Sequence, residues 1–138
     1  MPVTTVRWVN AKQFVGTDSR NQSVVLSGDD PARGVSPSQM LLIGLSACTA
    51  YDVLDIMAKK RKPITMLEVI ANGEQDANPP WAYQHIHLTY RVSGNNLTQK
   101  AVEQAVQLSQ EKYCSVAATV RGVARISTEV VIVPIVAQ

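Results

Sequence analysis

The chain has 138 residues, 46% hydrophobic and 17% charged, with a formal net charge of +2 at pH 7. That size fits one globular domain spanning residues 1–138, able to bury about two-thirds of its unfolded surface. So small a charge makes no electrostatic case for nucleic acid, and the start MPVTTVRW is not a signal peptide.

No uninterrupted apolar run approaches the ~18 residues that suggest a membrane span. The expectation is a cytoplasmic protein with no membrane partner, its two cysteines reduced at rest.

Val3 to Val9, Gln13 to Thr17 and Ser23 to Leu26 are rich in β-branched and aromatic residues and read as strands. Asn10 to Lys12 and Asp18 to Asn21 are turn material between them. A loop from Ser27 to Gly34 leads into Ser36 to Lys62, which reads as one long helix with Cys48 near its middle. Ser36 is the expected N-cap, Pro37 suits the first helical position, and Gln39 completes a capping-box spacing. Lys59 to Lys62 suit the negative end of the helix dipole, and Pro63 stops the helix.

Met40 to Leu45 are apolar on nearly every face, which demands surrounding protein and predicts an obligate dimer. Thr49, Asp52, Asp55 and Lys59 fall on one stripe and predict a wetter side. Ile64 to Gly73 reads as a strand, and Asp76 to Pro80 as a loop. From Tyr83 to Val92 apolar Ile86, Leu88, Tyr90 and Val92 alternate with polar His85, His87, Thr89 and Arg91, a half-buried strand. Asn96 can cap a helix over Leu97 to Glu111. A corner at Lys112 to Ser115 starts a short helix to about Arg121, closed by Gly122, and Val123 to Val133 is a final strand. This order is α+β.

Free cysteine is usually a small buried hydrophobe. Against that reading, Cys48 lies among Gly44, Ala47 and Ala50, which allow close approach. Cys114 sits near a helix N-terminus, whose N–H groups favour thiolate, so the dipole alone makes it the more acidic thiol. Asp52 would raise Cys48. His85 and His87 share a strand face as a metal pair, but no third ligand is spaced nearby, and they read as a solvated face.

The segment PSQMLLIGLSACTAYDV resembles the first cysteine motif of the OsmC/Ohr family, the osmotically inducible and organic hydroperoxide resistance proteins. SQEKYCSVA resembles the second cysteine motif in the form of a less-characterised OsmC-like branch, which VRWV and FVG near the start also fit. The resemblance implies an α+β fold of curved antiparallel sheets packed around long central helices in an intertwined homodimer.

It also implies a thiol peroxidase acting on organic hydroperoxides, with Cys48 as the attacking thiol and Cys114 as its resolving partner. Such an enzyme forms an intramolecular disulfide, is reset by a dithiol of lipoyl type, and needs no cofactor or metal. A disulfide needs the two Cα atoms within about 7 Å. Arg20 best matches the family's arginine beside the thiolate, with Arg33 as a rival. Ser38 and Gln39 stand where the family has the glutamate that holds that arginine. A pocket of Leu42, Leu45, Tyr51 and Trp81 around Cys48 is expected to favour bulky hydroperoxides. The competing reading is a non-enzymatic dimer that binds an apolar ligand between subunits.

Overall fold

The computed structural model describes residues 1–135. The chain forms two compact units, Met1–Leu41 and Leu42–Gln138. In the first, β1 (Thr5–Asn10), β2 (Gln13–Thr17) and β3 (Ser23–Ser27) make an antiparallel meander in the order β1-β2-β3. The second turn is built on Asp18, whose Oδ1 accepts from the backbone N–H of Arg20 at 2.8 Å and of Gln22 at 2.9 Å. This is the local bonding that suits Asp to turns.

The long helix α1 (Pro37–Lys59) begins in this unit and continues into the second. Met40 N–H donates to the Ser36 carbonyl at 2.9 Å, placing Ser36 at the N-terminal boundary as expected. The other end differs from expectation, because the helix stops three residues before Lys62. Arg61 takes a left-handed φ of 59°. Arg61 N–H then donates to Ala58 O and Lys62 N–H to Met57 O, both at 3.0 Å. These two bonds satisfy the last carbonyls and turn the chain out before Pro63.

The second unit holds β4 (Met66–Gln75), β5 (Tyr83–Ser93), α2 (Gln99–Leu108), a π-helical turn (Ser109–Tyr113), α3 (Ser115–Val120) and β6 (Arg125–Ile132). Its sheet order is β4-β5-β6, with β4 antiparallel to β5 and β6 parallel to β5. The parallel pair departs from the all-antiparallel expectation. The connection from β5 to β6 is a helical crossover rather than a hairpin, and a crossover returns the chain in the same direction. Gly73 on β4 is required where it stands, since a Cβ there would meet the Tyr83 ring at 2.6 Å.

Two helix boundaries also shift. The cap of α2 is Thr98, whose Oγ1 accepts from Ala101 N–H at 3.2 Å, whereas Asn96 lies in the preceding turn with φ 60°. Gly122 does not take the left-handed conformation expected of a closing glycine. The core follows the alternation of β5. Ile86, Leu88, Tyr90 and Val92 are buried with Leu45, Val53 and Met57 of α1 and Val102 and Ala105 of α2.

Burial along α1 is the largest departure from expectation. Leu41, Ile43, Tyr51 and Leu54 stay exposed at 43%, 47%, 72% and 45%, so this chain alone does not surround the helix. Thr49, placed by its spacing on a wet stripe, is fully buried. By length and composition alone α1 is apolar enough to cross a membrane, with a mean hydropathy of 1.6. A search for unbroken apolar runs misses this, because Gly44, Ser46 and Thr49 interrupt the run without adding charge. Core helices of soluble proteins pass the same test, and Leu45, Val53 and Met57 are core side chains.

Candidate active site

Cys48 lies half-buried on α1, one residue before Thr49. Cys114 is buried at the N-cap of α3, with extended backbone angles of φ −79° and ψ 107°. What holds Cys114 there is the widened turn before it. Its N–H donates to the carbonyl of Ser109, five residues back, at 2.8 Å. Such π-type bonds are rare and tend to occur at functional sites.

Ser109 is itself tied to α1. Its hydroxyl donates to Asp52 Oδ2 at 2.8 Å and lies 2.8 Å from Thr49 Oγ1. A serine hydroxyl has one proton, so with that proton given to Asp52 it must accept from Thr49. Thr49 has then spent its own proton and accepts from Tyr90 Oη–H at 2.8 Å and from Gln110 Nε2–H at 3.2 Å. Gln110 donates also to Tyr90 Oη at 3.2 Å. The network is fully directed, running Tyr90 to Thr49 to Ser109 to Asp52. Burial above all pushes the Tyr90 phenol up to about 12, against the pull of the Thr49 and Gln110 hydrogen bonds.

The two thiols are electrostatic neighbours whose acidities shift in opposite directions. Burial pushes Cys48 up, but bonds from the Val116 backbone N–H, the Cys114 thiol and the Ser115 hydroxyl bring it below its ordinary value, against Asp52. Cys114 is pushed up to about 11, chiefly by burial and further by the Cys48 bond and charge, although Ala117 N–H opposes. This reverses the order expected from the dipole. The N-terminal turn of α3 does favour thiolate, but its Val116 N–H lowers Cys48 as well as Cys114. Cys114, the cap itself, receives the Ala117 N–H at 3.4 Å and is more deeply desolvated.

Of the other residues marked by sequence, Arg20 lies on the turn between β2 and β3. Its guanidinium is largely exposed and pairs with Asp18 at 3.5 Å. Arg33 N–H donates to Ser27 Oγ at 3.2 Å. The linking of either arginine to Cys48 rests on the resemblance alone. The expected pocket wall is rearranged, because Leu45 is fully buried in the core and Trp81 is 56% exposed. Tyr51 instead borders a cleft of about 540 Å³ with Asp52, Asp55, Ile56, Leu108 and Tyr113. Residue order does not mark Thr49, Ser109 and Ser115 for the thiol site. Their partners lie far away in sequence, and the π turn leaves no periodic signal. Among the described residues no three His, Cys, Asp or Glu side chains are grouped to hold a metal.

The family model for OsmC-like proteins matches residues 28–129, which include both cysteines. The chain is 36% identical over 112 residues to the Escherichia coli protein YhfA, covering 81% of this chain and 84% of that one. A crystal structure of a hypothetical protein from Aquifex aeolicus superimposes with a TM-score of 0.87 at 25% identity, covering 99% of this chain and 98% of that one. An organic hydroperoxide resistance protein from Legionella pneumophila shares the fold with a TM-score of 0.68 at 12% identity, covering 94% and 96%. With the family model spanning most of its length and both cysteine motifs, the chain belongs to the OsmC-like protein family.

Proposed function

We propose that the protein reduces organic hydroperoxides with the thiol pair Cys48 and Cys114. The observation that carries this reading is two neighbouring thiols of opposite acidity, the lower on the more accessible residue. A nucleophilic thiol must ionise, and a resolving thiol need only wait nearby. The Cys48 thiolate attacks the terminal peroxide oxygen and the O–O bond breaks. Sulfur gains that oxygen as sulfenic acid, and the alkoxide takes a proton and leaves as an alcohol. Cys114 sulfur then displaces hydroxide, which leaves as water with the Cys114 proton, and a disulfide forms. A small dithiol, of lipoyl type by family resemblance, restores both thiols by exchange.

The working form in this reading is a cytoplasmic homodimer in which the partner covers the exposed residues of α1. The choice of organic over hydrogen peroxide is supported by the Legionella relative, described as an organic hydroperoxide resistance protein. The test adds one equivalent of cumene hydroperoxide to reduced protein and follows intact mass and free thiols against a hydrogen peroxide control. Loss of both thiols with loss of two hydrogens supports the reading. Thiols that survive both oxidants overturn it and favour an apolar-ligand-binding dimer.

A further inference from the structure

On the side of the second sheet away from the core, β5 and β6 assemble a group of side chains that the thiol chemistry does not use. His85, His87 and Thr89 alternate with the core residues of β5. The parallel register sets Arg125 opposite His85, Ser127 opposite His87 and Glu129 opposite Thr89. Ser127 Oγ lies 2.6 Å from His87 Nδ1 and 2.6 Å from His85 Nε2. Glu129 Oε1 is 3.1 Å from His87 Nε2 and accepts from Thr89 Oγ1 at 2.9 Å. Ser127 is half-buried, and β6 is the last strand of its sheet, so the hydroxyl can be approached from an open edge.

Proton counting fixes the direction of these bonds. The His87 bond first, then the Thr89 bond, holds the Glu129 carboxyl below its ordinary value, so at neutral pH it is ionised and can only accept. A neutral His87 therefore keeps its proton on Nε2, and its bare Nδ1 faces Ser127. With the serine proton given to that nitrogen, Oγ accepts from His85 Nε2–H. Every bond is satisfied, in the order carboxylate, imidazole, hydroxyl. A serine becomes a nucleophile when a base within hydrogen-bond reach takes its proton and a third group orients that base. His87 stands as the base and Glu129 as the orienting group, with the two ring nitrogens exchanged relative to the serine proteases. His85 pins the hydroxyl toward His87.

We propose that Ser127 is the nucleophile of a second, hydrolytic site that cleaves small esters with a good leaving group, with His87 as its base. Oγ attacks the ester carbonyl carbon as its proton passes to His87 Nδ1. The tetrahedral intermediate then collapses, the bond to the leaving oxygen breaks, and that oxygen departs with the proton. Water, with His87 again as base, splits the acyl-serine and releases the carboxylic acid. Arg125 is the cation that this face offers to the developing oxyanion. One flexible donor is less than a preorganised pair, which suits substrates whose leaving group departs readily. Glu129 and His85 are positioning residues. Sequence spacing gives the two histidines to solvent because Ser127 and Glu129 come from the far end of the chain. The site is independent of the thiol reading.

The test exposes the unaltered chain to an alkyl fluorophosphonate, which traps an activated serine as a stable phosphonate ester with loss of fluoride. Peptide mass mapping should place the adduct on Ser127, and His87→Ala should abolish it. Turnover of p-nitrophenyl acetate is followed in the full chain carrying Cys48→Ser and Cys114→Ser, because thiols also attack aryl esters. In that background Ser127→Ala should remove turnover, and His87→Ala and Glu129→Gln should each lower kcat about a hundredfold. Glu129→Gln should leave KM unchanged, a split that a merely structural role would not give. Unchanged turnover in Ser127→Ala overturns the site. So does a Ser127 left unmodified in the unaltered chain, a readout that needs no variant to fold.

Discussion

The Ser109 hydroxyl donates to Asp52 at 2.8 Å, joining the turn before Cys114 to the helix that carries Cys48. Two thiols on separate elements are thereby referred to one frame. Thr49→Val keeps the shape but removes the hydroxyl at the centre, leaving the Tyr90 and Gln110 donors short of a buried acceptor. A loss of about 1–3 kcal/mol is expected in urea denaturation. Ser109→Ala should cost a similar amount and should also slow disulfide closure relative to the first oxidation of Cys48. Equal slowing of both steps would show that Ser109 supports the fold without placing Cys114.

The acidities of Cys114 and Tyr90 predict an alkaline limit to stability. Both are raised in the folded protein, from 9.0 to about 11 and from 10.0 to about 12. A raised pKa means the folded state holds its proton where the unfolded state has lost it. The stabilisation is therefore complete below about 9 and is lost as pH rises through about 11 and then about 12. Cys48, lowered from 9.0, has the opposite sign and contributes stability that grows as pH rises toward 9.0. The urea midpoint should hold up to about 9 and then fall, and Cys114→Ala should delay the first part of that fall. A midpoint still rising at about 11 would contradict these assignments.

The proposed roles of the cysteines predict separate defects. Cys48→Ser should abolish peroxide consumption, because a serine hydroxyl is hardly ionised at neutral pH. Cys114→Ser should leave the first turnover intact and trap Cys48 as sulfenic acid, which excess peroxide drives to sulfinic acid. Intact mass separates these species. Alkylation of reduced protein just below 9.0 should label Cys48 well before Cys114.

Exposure of Ile43 and Leu54 on α1 predicts self-association. Light scattering should give twice the chain mass at micromolar concentration, with an interface above the ~2,000 Å² typical of large obligate contacts. Ile43→Asp should dissociate it or leave an aggregating monomer. A stable, well-folded monomer of the unaltered chain would reject the dimer.

Much of this architecture could be read from residue order. The alternation of Ile86, Leu88, Tyr90 and Val92 announces β5 because one sheet face is buried, and periodicity reports that directly. Ser36 and Pro37 announce the start of α1 through local hydrogen bonding. Local signals fail where a distant partner decides. Thr49 looks solvent-facing until Tyr90 and Ser109 supply buried partners. The end of α1 depends on Arg61 entering a conformation usually left to glycine. The order of thiol acidity turns on the deep burial of Cys114 and on the N-terminal turn of α3 reaching Cys48 as well, which the position of Cys114 near a helix start does not reveal.

The parallel pairing of β5 with β6 bears on how the molecule comes to be made. Antiparallel neighbours can close through a short hairpin, but β6 can dock only after α2, the π turn and α3 have crossed over. Contacts that close long stretches of chain form late, since the entropy of closure is spent before any pairing is gained. Cys114 lies inside that crossover, whereas Cys48 lies on a helix made earlier on the ribosome. During synthesis the first cysteine therefore exists without its partner. Under the proposed thiol chemistry, a nascent chain oxidised at that moment has no internal thiol to turn to, so oxidative stress should damage newly made copies more than finished ones.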